Sequence, residues 1–427
     1  MDRLLIKGAK IVDPANNIEQ KLDLLIADGK IASLAPDIQA DGTAVIGADG
    51  LICAPGLVDI HVHLRDPGYT YKEDIESGCR AAAAGGVTSL ACMPNTNPVC
   101  DSREVVSYIK SKSAGARARV YVVAAITKSQ KGRELTDFAA LKAAGGVAVS
   151  DDGRPVPSAD IMLKALKTAE RCGLKVLCHS EELSLSSGGI MNEGVTSKEL
   201  GVPGIPRAAE DVGTARDIAV AESAGLPLHI CHISTRGSVE MLRGARRRGV
   251  PVTGETAPHY FAFTDEMLKT WDADYLMNPP LRTADDVKAV IEGLRDGTIS
   301  AIATDHAPHA ESEKRDFLNA QNGVIGLETS LAAGITFLVK KGHITLSKLV
   351  SLMSAQPAKI LGIPGGSLSV GAPADIILFD PNEKWVVKPE LLQGKSKNTP
   401  FKGMVLEGRV KTTLLGGRIV YHNGQIV

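Results

Sequence analysis

A chain of 427 residues, 44% of them hydrophobic, can bury one large domain and a smaller companion. Its 48 basic and 49 acidic residues leave a formal charge of −1, which gives no electrostatic case for nucleic acid or an anionic membrane surface. No apolar run approaches the roughly 18 residues of a membrane span. The N-terminal MDRLLIKGAK lacks the apolar core of a signal peptide. Seven cysteines, an odd number without a CxxC pair, read as small buried hydrophobes in a reducing compartment. A cytoplasmic protein is expected.

In chain order, residues 1–53 come first as short strands joined by Gly and Asp turns: LLIKGAKIVDP, LDLLIADGKIASLAP and AVIGADGLICAPG. From residue 56 the texture changes to apolar runs alternating with helical patterns. The runs are GLVDIHVH (56–63), VTSLACMPN (87–95), ARVYVVAAI (118–126), GGVAVSDD (145–152), LKVLCHSE (174–181), LPLHICHIS (226–234), VPVTGETAPH (250–259) and ISAIATDHAPH (299–309). Amphipathic stretches such as 158–173 and 284–297 lie between them and end in Gly, a common helix stop. The basic cluster RGARRRG (243–249) closes one such pattern, where cations suit the helix dipole. Continuous apolar strands alternating with helices imply a parallel sheet, and eight units imply a TIM barrel. An open doubly wound sheet is the alternative, but no GxGxxG turn supports it. The C-terminal stretch from 370 returns to the Gly-punctuated style of the first. The expected organisation is therefore α/β: a (β/α)8 barrel over 55–365, and a small composite β domain from 1–54 and 366–427.

Alternate residues of a strand share a face, so His61 and His63 point the same way at the end of the first run. The fourth run ends in Asp151–Asp152, the fifth in His179, the sixth in His232 and the eighth in Asp305. Each alone has a bland explanation: a turn for the Asp pair, a hydrogen-bonded core histidine, a helix cap for Asp305. Their joint arrival at the C-terminal strand ends, where barrels build their active sites, points instead to metal ligands. Imidazoles and carboxylates without a thiolate favour zinc in a hydrolytic site, and six candidates suggest two ions sharing a carboxylate. Such ions lower the pKa of water toward 7 and so supply a nucleophile, with Asp305 placed to move its proton. Of the remaining histidines, His229 lies three residues before His232 and is expected on the opposite side of its strand. His343 and His422 read as solvated, His259 and His306 as supporting or structural, and His309 as within reach of substrate.

DIHVHLRDPG (59–68), MPNTNP (93–98), SDDG (150–153), CHSE, CHIS, MNPPLR (277–282) and ATDHAPH (303–309) together closely resemble the bacterial class I dihydroorotase family of the amidohydrolase superfamily. The similarity runs over nearly the whole chain in the expected order. It implies reversible zinc-dependent cyclisation of N-carbamoyl-L-aspartate to dihydroorotate, a step of de novo pyrimidine synthesis, with a metal-bridging hydroxide as nucleophile in the hydrolytic direction. By that resemblance His61 and His63 look like ligands of one zinc, His179 and His232 of the other. Asp152 matches the bridging carboxylate, and Asp305 a ligand and the catalytic acid/base. Arg65, Asn95 and His309 match groups holding the substrate's α-carboxylate, Asn278 a further contact, and Asn322 and Gly323 backbone contacts to the ring. The family usually carries an aromatic residue at the position of Asn322.

Dihydropyrimidinases, hydantoinases and allantoinases resemble this pattern too, but they bridge their metals with a carboxylated lysine at the end of strand four. No lysine lies between Lys142 and Lys164 here. They also lack an Arg two residues after the HxH pair. A catalytically dead homologue that partners aspartate transcarbamoylase is the third reading, set against the full ligand set. A small-molecule substrate and a homodimer are expected, and an active enzyme in complex with aspartate transcarbamoylase is left open.

Overall fold

The computed structural model describes residues 3–427; the first two residues of the expected N-terminal segment lie outside the described residues. Eight strands run parallel in chain order: Leu57–Val62, Val87–Cys92, Arg119–Ala124, Gly146–Val149, Lys175–Cys178, Leu228–Ile230, Val252–Thr256 and Ala301–Ile302. The sheet closes on itself where Val62 bridges His306, with His63 N–H donating to His306 O at 2.8 Å. All eight expected runs are present, and each is longer in sequence than its strand. The eighth run, 299–309, keeps only Ala301–Ile302 in the ladder. The surplus residues form the loops at the C-terminal mouth.

The helices between strands begin and end as their sequences dictate. Asp74 caps Ile75–Ala84 by accepting from Ser77 N–H, and Ser158 caps Ala159–Cys172 in the same way. The second of these stops at Gly173, whose φ of +65° costs glycine little and other residues more. The basic cluster ends the helix Arg236–Arg247, where Arg246 donates to Thr298 O at 2.8 Å. Between strands and helices lies a continuous apolar layer that includes Leu90, Val122, Leu166, Ile230, Leu242 and Ile302. The barrel interior is narrower, filled by Val58, Ile60, Ala91, Val123, Ala148, Leu177 and Ala301.

The two ends of the chain meet in one nine-stranded sheet. Arg3–Asp13 pairs antiparallel with Ile18–Ala27 and parallel with Ile52–Pro55. Ile52–Pro55 in turn pairs antiparallel with Ile376–Val386, with Cys53 opposite Leu378. Ile6, Ile11, Leu24, Ile376 and Leu414 form its buried face. The C-terminal part is not wholly β: residues 393–399 leave the sheet for the barrel mouth. There the half-buried Glu328 carboxylate accepts from the backbone N–H groups of Gln393 and Gly394 at 2.8 and 3.1 Å. Glu73 does the same for Lys395 at 3.1 Å. Among the described residues no helix is long and apolar enough to cross a membrane.

Candidate metal centre and substrate pocket

The side chains at the barrel mouth are aimed by breaks in regular backbone. In the first strand the pairing register shifts between Asp59 and Val62. This irregularity lets Ile60 face the barrel interior while His61 and His63 turn into the mouth, a common use of bulges beside active sites. Arg65, His232 and Asp305 have φ of +60°, +36° and +47°. Such conformations cost non-glycine residues about 1–3 kcal/mol each and persist only where surroundings hold them.

Asp152 sits at the centre of four imidazoles. Its Oδ1 lies 3.4 Å from His61 Nε2, 3.4 Å from His179 Nδ1 and 3.3 Å from His232 Nε2, and its Oδ2 lies 3.5 Å from His63 Nε2. Asp305 Oδ1 approaches His63 Nε2 at 3.1 Å and His61 Nε2 at 3.5 Å. His179 Nδ1 and His232 Nε2 are 2.8 Å apart. All six groups are buried. Burial alone raises a carboxyl pKa, yet the histidines hold Asp152 well below the carboxylate range and Asp305 below it too. Burial likewise pushes His61 down, but Asp152 and Asp305 outweigh it and raise its pKa. The six expected ligands are thus brought together. Asp151, by contrast, turns away and accepts from Ile126 N–H, Thr127 N–H and the Thr127 hydroxyl.

A divalent cation fits this donor set. His61 Nε2 is buried without an aligned hydrogen-bond partner although two carboxylates lie within 3.5 Å. Imidazole nitrogens and carboxylate oxygens converging on one point, His61 with His63 and Asp305 and His61 with Asp152 and His232, are a donor pattern that zinc and similar ions take. The distal ring nitrogens are all engaged in three of the four rings. His61 Nδ1 meets Glu255 Oε1 at 2.8 Å, His63 Nδ1 meets Asn95 Oδ1 at 2.7 Å, and His179 Nε2 meets Glu181 Oε2 at 2.8 Å. Partners of this kind fix the ring and the tautomer that ligates. For Glu255, burial pushes the carboxyl up, but hydrogen bonds from His229 and His61 prevail and bring it to about 2.

Beside the ligands lies a cationic pocket. Arg65 donates from Nε to Pro308 O at 3.2 Å, and its Nη2 lies 3.2 Å from His309 Nε2. Lys72 Nζ sits 3.2 Å from His309 Nδ1 and 2.8 Å from Glu313. Lysine only donates, so His309 Nδ1 accepts, and Nε2–H then donates to Asn322 O at 2.9 Å. Arg65 Nη2 therefore has no acceptor in that ring and stays free for an anion. Burial and then the charges of Arg65 and Lys72 drive the His309 pKa down to about 2, so the ring is neutral. Asn322 contributes its carbonyl to His309, and its own side chain is exposed. Gly323 has φ of +140°, and a Cβ there would meet Ala307 Cβ at 2.7 Å and His309 Nε2 at 3.0 Å.

Four expected substrate contacts are partly occupied by the protein itself: the Asn322 and Gly323 carbonyls accept from His309 and Asn398, and Gly323 N–H donates to Leu276 O at 3.0 Å. Asn95 gives its carbonyl to His63 and keeps its amide N–H groups, while Asn278 Nδ2 donates to Glu181 Oε2 at 3.2 Å. Several supporting residues carried no signal in the sequence. Lys72 follows an ordinary turn; Glu181 and Glu255 stand inside runs read only for their histidines or as strand; Asn398 lies in the far C-terminal segment. Asn398 accepts from His309 N–H at 3.1 Å and donates to Gly323 O at 3.0 Å. His229 differs from its expected place. It faces the barrel interior under the metal centre, 3.1 Å from Glu255 Oε2, because the positive φ at His232 breaks the alternation on which the expectation rested.

Comparison with known proteins agrees with this geometry. Residues 50–238 match the family described as dihydro-orotase-like, and residues 276–421 match an amidohydrolase family. The chain is 52% identical over 421 residues to a dihydroorotase of Citrifermentans bemidjiense, covering 98% of this chain and 99% of that protein. It is 51% identical over 420 residues to a dihydroorotase of Acetivibrio thermocellus, covering 98% of each. Among solved structures, an L-hydantoinase (dihydropyrimidinase) from Arthrobacter aurescens superposes with a TM-score of 0.90 at 25% identity, covering 100% of this chain and 98% of that one. With half its residues identical over nearly the full length, the chain belongs to the dihydroorotase family of the amidohydrolases.

Proposed function

We propose that the protein catalyses the reversible cyclisation of N-carbamoyl-L-aspartate to dihydroorotate, in de novo pyrimidine synthesis, using two zinc ions. One observation carries the choice of substrate: a pocket with a free Arg65 guanidinium face and the Lys72 ammonium directly beside the histidine–aspartate cluster. Only a substrate with a fixed negative charge next to the scissile amide makes use of that pairing. In this reading His61, His63 and Asp305 would hold one ion, His179 and His232 the other, and Asp152 would serve both. When bound, the ions polarise the ring carbonyl and activate water at neutral pH. Arg65, with the amide of Asn95, fixes the α-carboxylate, and the neutral ring of His309, held by Lys72 and the Asn322 carbonyl, braces the wall beside it. Asp305, ionised and at the edge of the ligand cluster, accepts a proton during ring opening and returns it to the leaving ring nitrogen. The backbone at Asn322 and Gly323 orients the ring. A cytoplasmic location fits seven cysteines that are all free, six of them buried.

The likeness to an L-hydantoinase keeps a neutral cyclic amide as a second reading. Asp152 at the bridging place, instead of a lysine, speaks against it. Assay of purified protein with dihydroorotate, hydantoin and allantoin, paired with metal analysis, tests both. Dihydroorotate as the preferred substrate by at least about 100-fold in kcat/KM is expected, worth roughly 3 kcal/mol. Preference for hydantoin would reject the proposal.

A further inference from the structure

We propose that Glu255, held from beneath by His229, is a positioning residue that turns Nε2 of His61 toward the metal. The inference rests on reading His61 as a ligand. In the seventh barrel strand Gly254 faces the helices, since a Cβ there would meet Ile233 and Leu242 at 2.5 and 2.9 Å. Its neighbours Thr253 and Glu255 therefore face the barrel interior. There they form a column of hydrogen bonds with His229 and His61. Thr253 Oγ1 meets His229 Nδ1 at 2.8 Å, His229 Nε2 meets Glu255 Oε2 at 3.1 Å, and Glu255 Oε1 meets His61 Nδ1 at 2.8 Å.

A carboxylate only accepts, so both rings donate to it. His61 therefore keeps its proton on Nδ1, which turns Nε2 toward Asp152 and Asp305. His229 keeps its proton on Nε2, with Nδ1 against the Thr253 hydroxyl. Glu255, His61 and His229 are 1%, 0% and 3% exposed. Stability alone does not account for this placement, because replacing buried charged pairs by apolar side chains is often neutral or stabilising. The same interior is otherwise filled by Val58, Ile60, Ala91, Val123 and Ala301. Asn95 and Glu181 orient His63 and His179 from the pocket rim, whereas the orienting partner of His61 is built into the barrel interior.

The test is zinc release from the zinc-loaded protein into a chromophoric chelator, for Glu255→Gln, His229→Asn and His61→Asn, alongside thermal unfolding in excess chelator. Glu255→Gln keeps the volume of the side chain and removes its charge. It is expected to weaken one of the two ions about 10- to 100-fold, with His229→Asn showing a smaller loss in the same ion. The unfolding midpoint in chelator should move little for Glu255→Gln. Unchanged zinc affinity in both Glu255→Gln and His229→Asn, while His61→Asn loses an ion, would overturn the inference and leave the ligand assignment standing. A lowered midpoint in chelator with unchanged zinc affinity would assign Glu255 a structural role and also overturn it. Full retention of both ions by His61→Asn would overturn the ligand assignment and the inference together.

Discussion

Asp151 and Asp152 are neighbours in the chain and serve opposite ends of the same loop. Asp151 ties that loop to Ile126 and Thr127 of the preceding unit, and Asp152 stands among four imidazoles within 3.5 Å. Asp152→Ala should therefore lower zinc content and kcat together, by more than the roughly 100-fold of an indirect partner. Asp151→Ala should instead lower the unfolding midpoint, because it leaves buried N–H groups unpaired at about 1–3 kcal/mol each. Metal analysis and thermal unfolding on the two variants separate the roles; equal metal loss in both would refute them.

Removal of metal gives a second expectation. The thiols of Cys92 and Cys231, in the second and sixth barrel runs, are pushed up by burial and offer no thiolate nucleophile at neutral pH. Dialysis against a chelator should abolish dihydroorotate hydrolysis, and added zinc should restore it. Full activity at background metal levels would refute a metal-dependent reaction.

In the proposed function Arg65 sets the preference for a charged substrate. Losing one partly buried charge-assisted pair costs on the order of 2–5 kcal/mol, so Arg65→Met should lower kcat/KM for dihydroorotate roughly 30- to 5000-fold. Zinc content should stay within error of the parent, since Arg65 touches Pro308 and His309 and no ligand. Near-normal kcat/KM would show that the carboxylate is held elsewhere.

Asn398 reaches the pocket from the C-terminal segment. Asn398→Ala strands His309 N–H, at about 1–3 kcal/mol for a buried group, and leaves the Gly323 carbonyl with Lys314 Nζ alone, at 3.1 Å. A lower unfolding midpoint and a KM raised several-fold are expected, with kcat changed less. An unaltered KM would mean that the 321–323 loop stands without this support.

Glu328 gives a pH signature remote from the metal centre. Burial raises its carboxyl pKa from 4.5 to about 7, against two backbone N–H donors that favour the charged form. Between those values the folded protein keeps a proton that the unfolded chain has released, so stability falls as pH rises through that window. The loss is on the order of 1–3 kcal/mol and complete above pH 7. Glu328→Gln has no such titration, and its Oε1 can accept from both Gln393 and Gly394. The midpoint of the variant relative to the parent should therefore rise between pH 5 and pH 8. A difference independent of pH would contradict the raised pKa.

The eight barrel strands and the ligand histidines were legible because each rests on a strong local pattern: apolar runs at regular intervals, and polar residues just beyond them. Strand lengths were not, since Asp305 and His232 look like strand continuation until the backbone turns to positive φ. The same turn defeated the parity argument for His229. Asn398 and Glu255 were illegible for another reason. Their roles depend on partners 89 and 194 residues away, and a single amide in a loop or a single carboxylate in a strand has no periodic signature. His61 and His63 could be read as a pair, but the Asn and Glu that orient them could not.

The sheet that joins residues 3–55 to 376–426 also sets a timetable for biogenesis. During synthesis the first strands leave the ribosome hundreds of residues before Ile376–Val386, the partner of Ile52–Pro55, exists. At roughly 5–20 residues per second that interval lasts on the order of tens of seconds. Through it the apolar face of Ile6, Ile11 and Leu24 has no permanent cover, which marks it as a surface for a chaperone or for aggregation. The loop that Asn398 braces also waits for this late segment, so a chain truncated before residue 398 would carry every ligand histidine and still lack a finished pocket.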